Sequence, residues 1–200
     1  MSSFDDDGPR PQTDREVWER LRTGSESAFA EIFTRHSDAV YNFAFRRTAC
    51  WATAEDITQA TFVTLWRRAL AGRTDVLRHD SARAVLLAMA GHESANTLRG
   101  LRRLTALKRK VSVEEVDPDH ADRVAAGIDS ERQMRRVREV VDRLPASQRE
   151  VVELVWWSGC SMQEAADALS VPVGTVKSRL SRARARLGEH TVTVGREELA

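Results

Sequence analysis

Residues 161–187, SMQEAADALSVPVGTVKSRLSRARARL, read as a helix, a tight turn and a second helix that is basic on its outer side. In the second helix Val176, Leu180, Ala183 and Leu187 recur at the i, i+4, i+7, i+11 spacing of one buried face. The opposite face carries Thr175, Lys177, Ser178, Ser181, Arg182 and Arg186. Short hydroxyls and long cations on one rigid rod suit a recognition helix: hydroxyls and Lys reach phosphates, and Arg reaches the acceptor edge of guanine. A charge run on a helix is otherwise a solvated face. Here the preceding helix and turn complete a helix-turn-helix pattern, which points to DNA rather than to catalysis.

Outward from that motif, nearly all periodicity is helical, and no alternating strand or Asn-Gly hairpin signal stands out. Residues 14–22 predict a short amphipathic helix ended near Gly24. Residues 25–36 place Phe29, Ile32 and Phe33 on one side, and residues 38–50 add Val40, Tyr41, Ala44 and Phe45. Thr53 and Asp56 resemble a capping box opening a helix over 54–71, stopped by Gly72. A fourth helix over 81–104 is apolar early and basic late. After a stretch with the Asp117-Pro118 breaker, residues 131–144 set Met134, Val137, Val140, Val141 and Leu144 inward. Ser147 with Glu150, and Ser161 with Glu164, give two further S-x-x-E signatures, the first starting a helix through Trp157 and the second opening the motif above. Pro172 marks its turn.

The 200 residues suffice for one or two small domains. The expectation is an all-α protein: two small helical domains joined by a flexible linker, the C-terminal one a helix-turn-helix. The boundaries are a disordered tail at 1–14, a first domain at 15–104, a linker at 105–130, a second domain at 131–190 and a tail at 191–200. The net charge of +1 hides segregation. Residues 97–110 hold Arg99, Arg102, Arg103, Lys108, Arg109 and Lys110 without an acid, whereas 111–131 hold Glu114, Glu115, Asp117, Asp119, Asp122, Asp129 and Glu131 against Arg123 alone. No run reaches membrane-spanning length and no secretory pattern is present, so a cytoplasmic protein without membrane insertion is expected. Cys50 and Cys160 lie far apart and in different domains; a structural disulfide does not fit a reducing compartment.

No catalytic constellation emerges, and no cofactor or metal is implied. Neither common phosphate-cradling glycine loop is present. His92-Glu93 would need a second His at position 96 to make a zinc helix, and Asn96 stands there. His36, His79, His92, His120 and His190 form no ligand spacing. Two polar clusters stand out. Asp56, Thr58, Gln59 and Arg67 lie opposite Ile57, Ala60, Leu65 and Trp66, a set that by itself reads as solvent surface. Arg99, Arg102 and Arg103 with the Lys108-Arg109-Lys110 run form a stripe suited to a phosphate backbone.

Three stretches together carry a resemblance. Residues 54–62, AEDITQATF, look like the AED-hydrophobic-x-Q-x-x-F signature of bacterial sigma factors. Residues 144–151, LPASQREV, resemble the LPxxQREV opening of their C-terminal domain, and 172–180, PVGTVKSRL, with Arg182-Ala183-Arg184 after it, resemble the DNA-binding motif within it. With only two domains and a short linker, the chain resembles the extracytoplasmic-function (ECF, group 4) RNA polymerase sigma factors over roughly 25–187.

The resemblance implies a non-enzymatic subunit that binds core RNA polymerase, at its clamp and flap regions, and directs initiation at promoter DNA. Asp56, Thr58 and Gln59 would contact core. The helix over 81–104 and the loop before it would recognise and open the −10 element, with His92, Asn96, Arg99, Arg102 and Arg103 as candidate base or backbone contacts. Thr175, Lys177, Ser178, Arg179, Ser181 and Arg182 would face the −35 element, Lys177, Ser178 and Arg182 foremost; Arg179 reads either as a phosphate contact or as packing inward. An anti-sigma factor is the regulator that the family implies, and the nucleoid is where the holoenzyme would sit. The acidic segment reads either as a mimic of nucleic-acid charge inside polymerase or as a solvated tether. The chain departs from the family at 83–92, RAVLLAMAGH, where RAWLxxIARN is common: Val85 replaces a tryptophan and Gly91-His92 replaces Arg-Asn. Gly91 within a helix costs about 1 kcal/mol relative to Ala. The competing reading is a conventional helix-turn-helix regulator that does not bind polymerase core. It calls for a phosphoacceptor domain of alternating strands and helices, which the helical first half does not supply.

Overall fold

The computed structural model describes the backbone of residues 12–111 and 124–197 and the side chains of 12–104 and 129–188. The expected tail up to residue 11, the acidic stretch at 112–123, and the side chains of Lys108, Arg109, Lys110, His120 and His190 lie outside the described residues. Those residues contain eight α-helices and one π-helical turn, and no strand.

Thr13 opens α1 (Asp14–Arg22) with a capping box: its hydroxyl accepts the Glu16 N–H, and its own N–H donates to the Glu16 carboxylate at 2.8 Å. Asp14, assigned to the tail from sequence, is instead nine-tenths buried. Its carboxylate accepts from Arg35 at 2.9 Å and from the Ala82 N–H at 2.9 Å, and lies 2.6 Å from His36 Nε2. One side chain thereby ties α1, α2 and the start of α4. Gly24, at φ +84°, makes the turn out of α1 that a residue with a Cβ rarely adopts.

The helices expected at 25–36 and 38–50 are one, α2 (Glu26–Thr48). Its inward stripe of Ala28, Ile32, His36, Val40, Phe43 and Ala44 runs through Ser37 and Asp38 without a change of phase, so nothing breaks it. The third helix also begins earlier than expected. In α3 (Trp51–Leu70), Cys50 is the N-cap and Thr53 sits within the first turn. Trp51 stacks on Phe45 with ring centroids 3.4 Å apart and on Tyr41 at 5.7 Å, and this packing sets the start of the helix. The connection at 71–82 is held back on α1 by Trp18 Nε1–H to Asp75 O (2.9 Å), Arg22 to Thr74 O (2.7 Å) and Arg15 to Arg78 O (2.8 Å). It leads into α4 (Arg83–Val111).

The second half comprises α5 (Val124–Asp142), α6 (Ala146–Val152), the π-helical turn Glu153–Trp157, α7 (Met162–Ala168) and α8 (Val173–Glu197). Ser147 and Glu150 form no capping box, because Pro145 is the N-cap and Ser147 is already helical. The box at Ser161 and Glu164 does form, with bonds of 3.2 and 2.8 Å. Val141, Leu144, Val151, Leu154, Ala165, Val176 and Ala183 build the core of this half. Val137 and Val140, expected inside, are exposed. The face of α5 that meets α2 is turned about one position, so that Arg138 reaches the Thr48 carbonyl at 3.0 Å and Asp142 at 3.1 Å.

The two halves pack on each other. α5 lies against α2, and α7 and the π turn lie against α4. Arg46 donates to the Trp157 carbonyl, Arg47 pairs with Glu153 at 2.5 Å, the Trp51 N–H donates to Glu131 at 3.0 Å, and His79 and Arg78 meet Asp167 at 2.6 and 3.2 Å. Helical structure also takes both ends of the expected linker, since α4 continues to Val111 and α5 begins at Val124.

Candidate nucleic-acid interface

The turn at Ser170–Pro172 launches α8, whose inward row is Val176, Leu180 and Ala183 with Leu187 half-buried. That row fixes the rotation of the helix, and Lys177, Ser178, Ser181, Arg182 and Arg186 consequently face solvent. Thr175 and Arg179 are half-buried at its edge. The Ser178 hydroxyl donates to the Thr175 carbonyl at 3.0 Å, which fixes its rotamer in the absence of DNA. Arg184 lies over the Trp156 ring at 5.7 Å and is thus drawn sideways from the reading face.

On α4, His92, Asn96, Arg99 and Arg103 are exposed and follow one stripe at steps of three and four, with exposed Arg102 beside it. Arg99 donates to Asn96 Oδ1 at 2.5 Å, and His92 Nδ1 lies 2.9 Å from the Ala88 carbonyl. His92 and Asn96 line the rim of a cavity of about 1060 Å³ between α3, the 71–82 connection, α4 and α7. Val85, the residue that stands where the resemblance expects a tryptophan, is among those that line it. Gly91 has a packing reason: an added Cβ would stand 3.3 Å from Arg47 Nη1, and Arg47 is the partner of Glu153.

Of the three residues expected to meet core polymerase, Asp56 and Gln59 are exposed one turn apart on α3. Thr58 is a correction: it is buried, and its hydroxyl returns to the Ala54 carbonyl at 2.8 Å. Its side chain is turned inward and its hydroxyl is already bonded within the helix.

Two acids of α7, Glu164 and Asp167, line the same cavity, and no local sequence pattern places them there. Asp167 is held below the usual carboxylate range first by its hydrogen bond with His79, then by Gln163. Glu164 is also lowered: burial would raise it, but the Ser161 capping bonds, His79 and Arg83 outweigh burial. Glu153, at the π turn, is pushed up to about 7 by burial, which Arg47 and Arg149 only partly oppose. Gly91, a costly residue inside a helix, was the single sequence signal that something must pass close to α4. Cys50 and Cys160 are free thiols, and burial raises Cys160 to about 11. Among the described residues no cluster of His, Cys, Asp and Glu is placed to hold a metal, and no helix is long and apolar enough to cross a membrane.

Comparison with known proteins fits this arrangement. Residues 32–104 match the family model "Sigma-70 region 2", and residues 134–187 match "Sigma-70, region 4". The chain is 30% identical over 176 residues to the ECF RNA polymerase sigma factor SigK of Mycobacterium tuberculosis, covering 86% of this chain and 90% of that one. It is 26% identical over 188 residues to the ECF RNA polymerase sigma factor RpoE of Cereibacter sphaeroides, covering 90% and 97%. The fold is shared with CnrH, solved in complex with the cytosolic domain of CnrY, at a TM-score of 0.63 and 24% identity over 90% of this chain and 97% of that one. It is also shared with the Bartonella quintana sigma factor RpoE, solved with the anti-sigma factor NepR, at a TM-score of 0.54 and 27% identity over 80% and 94%. A match to both sigma-70 regions in chain order, with a 30% identical relative aligned along most of its length, means that this chain belongs to the ECF RNA polymerase sigma factors.

Proposed function

We propose that this sigma factor docks on the clamp of core polymerase through Asp56 and Gln59 of α3, captures the −10 element with α4, and sets α8 in the major groove of the −35 element. The observation that carries the reading is the pairing, on one chain, of a helix that exposes Asp56 and Gln59 one turn apart with an outward basic face on the second helix of a helix-turn-helix. Lys177, Ser178 and Arg182 read the groove, with Ser181 and the edge residues Thr175 and Arg179 toward the backbone. His92, Asn96, Arg99, Arg102 and Arg103 contact the −10 strand and its phosphates.

Sigma factors are initiation factors, and polymerase performs the chemistry; this chain contributes binding energy and no catalytic step of its own. Docking on core fixes the spacing of the two DNA-reading helices. Linking two weak sites raises avidity by ~10²–10⁴ over either alone. Strand opening requires a base to leave the stack at a few kcal/mol, which contacts to that base and phosphate neutralisation offset. The protein acts in the cytoplasm, on the nucleoid when bound to polymerase. An anti-sigma factor covers these same faces when transcription is off, a reading supported by the Bartonella relative solved with one.

Co-purification with bacterial core RNA polymerase tests the reading. Wild type is expected to bind stoichiometrically and Asp56→Lys to lose core while staying folded. No binding by wild type, with α8 still gripping duplex DNA, would favour a conventional regulator.

A further inference from the structure

We propose that the C-terminal part of α4, residues 98–111, is a lipid-binding arm that lies along an anionic membrane surface, its leucine side toward the acyl chains and its arginines among the headgroups. The inference goes beyond the promoter reading and does not depend on it, because it concerns the side of α4 that the DNA contacts assigned above leave unused.

Two observations carry it. First, this part of α4 stands clear of the rest of the chain. Ser94 is buried, whereas every residue from Arg99 to Leu104 is exposed, about one and a half turns on all sides of the helix. A Cβ added at Gly100 would meet nothing within 4 Å. The helix continues to Val111, so the stretch from 98 is about 20 Å long. A helix of that length without packing is marginal in water and gains from a surface to lie on. Second, its two sides differ as an interfacial helix requires. Along the helical register Leu101, Leu104, Leu107 and Val111 fall within an arc of about 120°, and Arg99, Arg102, Arg103, Arg109 and Lys110 fall within an arc of about 120° opposite. Leu101 and Leu104 are 46% and 51% exposed. No acid occurs from 97 to 110. Cations draw such a helix to anionic headgroups, and leucines then leave water, so that it lies on a bilayer without spanning it.

Charge alone does not identify the occupant. Nucleic acid satisfies the arginine arc, which His92 and Asn96 continue along α4, but it leaves the leucines in water. An acidic groove on a protein would cover the leucines. It would also enclose Lys108, which the register places inside the apolar arc between Leu104 and Leu101, and a charge enclosed there costs free energy unless it is paired. At a bilayer a lysine in that position reaches the headgroup layer along its own stem. A second copy of the chain would bring Lys108 and the flanking arginines against their like, with no acid from 97 to 110 to pair them. An anionic bilayer is the occupant that satisfies the leucines, the arginines and Lys108 together.

The test uses the full chain and flotation with vesicles of phosphatidylcholine alone or in equal parts with phosphatidylglycerol. Wild type should bind the anionic vesicles at least about tenfold more tightly than the neutral ones. Leu101→Ser with Leu104→Ser should weaken anionic binding about tenfold or more. Both positions are exposed, so circular dichroism should show the fold retained. Gly100→Leu adds a leucine to the apolar arc at a position with open space around it, and should tighten binding about tenfold with the fold retained. Wild type that floats with neither vesicle overturns the proposal and leaves the leucine arc to a protein partner. Anionic binding that neither leucine-arc variant changes also overturns it, because the arm is then a charge patch for any polyanion. So does release of the bound chain by inorganic phosphate at matched ionic strength, because a free anion then suffices. The vesicles contain neither DNA nor polymerase, so failure here leaves the promoter reading standing, and failure of core co-purification leaves the lipid arm standing.

Discussion

Asp14 shows how far one side chain can organise a domain. Burial alone would raise its carboxyl, but the hydrogen bonds from His36, the Ala82 N–H and Arg35 together hold it well below the usual carboxylate range. Its folded-state pKa is thus below the unfolded value of 3.8. The stabilisation it gives is therefore complete above that value and is lost as pH falls through the folded one. Asp14→Asn should cost roughly 1–3 kcal/mol at neutral pH, because three donors lose a charged acceptor. The gap between variant and wild type in denaturant unfolding should close as pH drops below 3.8. A gap that persists in acid would mean that shape rather than charge matters at this position. Arg182 is the corresponding residue on the functional side. In holoenzyme, Arg182→Ala should cost about 1–3 kcal/mol at a single base position and relax specificity there. A promoter library that weakens uniformly would instead make Arg182 a phosphate contact.

At the scale of the element, Gly91 sets helix propensity against packing. Replacement by Ala gains about 1 kcal/mol in a helix interior. In this chain the new Cβ would meet Arg47 Nη1 at 3.3 Å, and Arg47 is held by Glu153. Gly91→Ala should therefore stabilise the full chain by less than that gain, and deliver all of it once Arg47→Met has cleared the space. A double-mutant cycle reads the coupling, expected at ~0.5–3 kcal/mol for groups in contact. Equal gains in both backgrounds would show that Arg47 yields freely. Local signals were legible in the sequence for the same reason that they fold locally: the buried row of α8, the Ser161–Glu164 box and the extent of α1 each depend on residues a turn apart. The continuity of α2, the start of α3 at Trp51 and the π turn were not, because they are set by stripes and stacked rings that meet across the core. Thr58 misled because a hydroxyl that bonds back to the carbonyl four residues earlier can be buried while looking polar in the sequence.

Over the whole molecule, the pairs that join the domains are separated by 88 to 111 residues for His79–Asp167, Arg47–Glu153 and Arg46–Trp157, and no periodicity encodes them. The family resemblance conveyed each domain separately and left their mutual packing unread. Glu153 is where that packing becomes measurable. Burial raises its folded-state pKa from 4.5 to about 7, with Arg47 and Arg149 opposing and Glu150 and Asp142 adding. A carboxyl raised in the folded state contributes stability that is complete below the unfolded pKa and is lost as pH rises through the folded one. Wild type should therefore lose stability relative to Glu153→Gln between pH 4.5 and about 7, and run parallel to it above. The amide keeps the shape and does not titrate, so the contributions of Asp14 and other groups cancel in the difference. Removing the cation should sharpen the effect. Arg47→Met leaves the buried carboxylate with Arg149 as its main opposing charge, so the falling segment should extend to higher pH, and breaking the pair should cost about 3–5 kcal/mol where Glu153 is ionised. Equilibrium denaturation across this range decides the matter. A difference that stays flat with pH in both backgrounds would make Glu153 an ordinary ion-pair partner, with Arg47 fully compensating its burial.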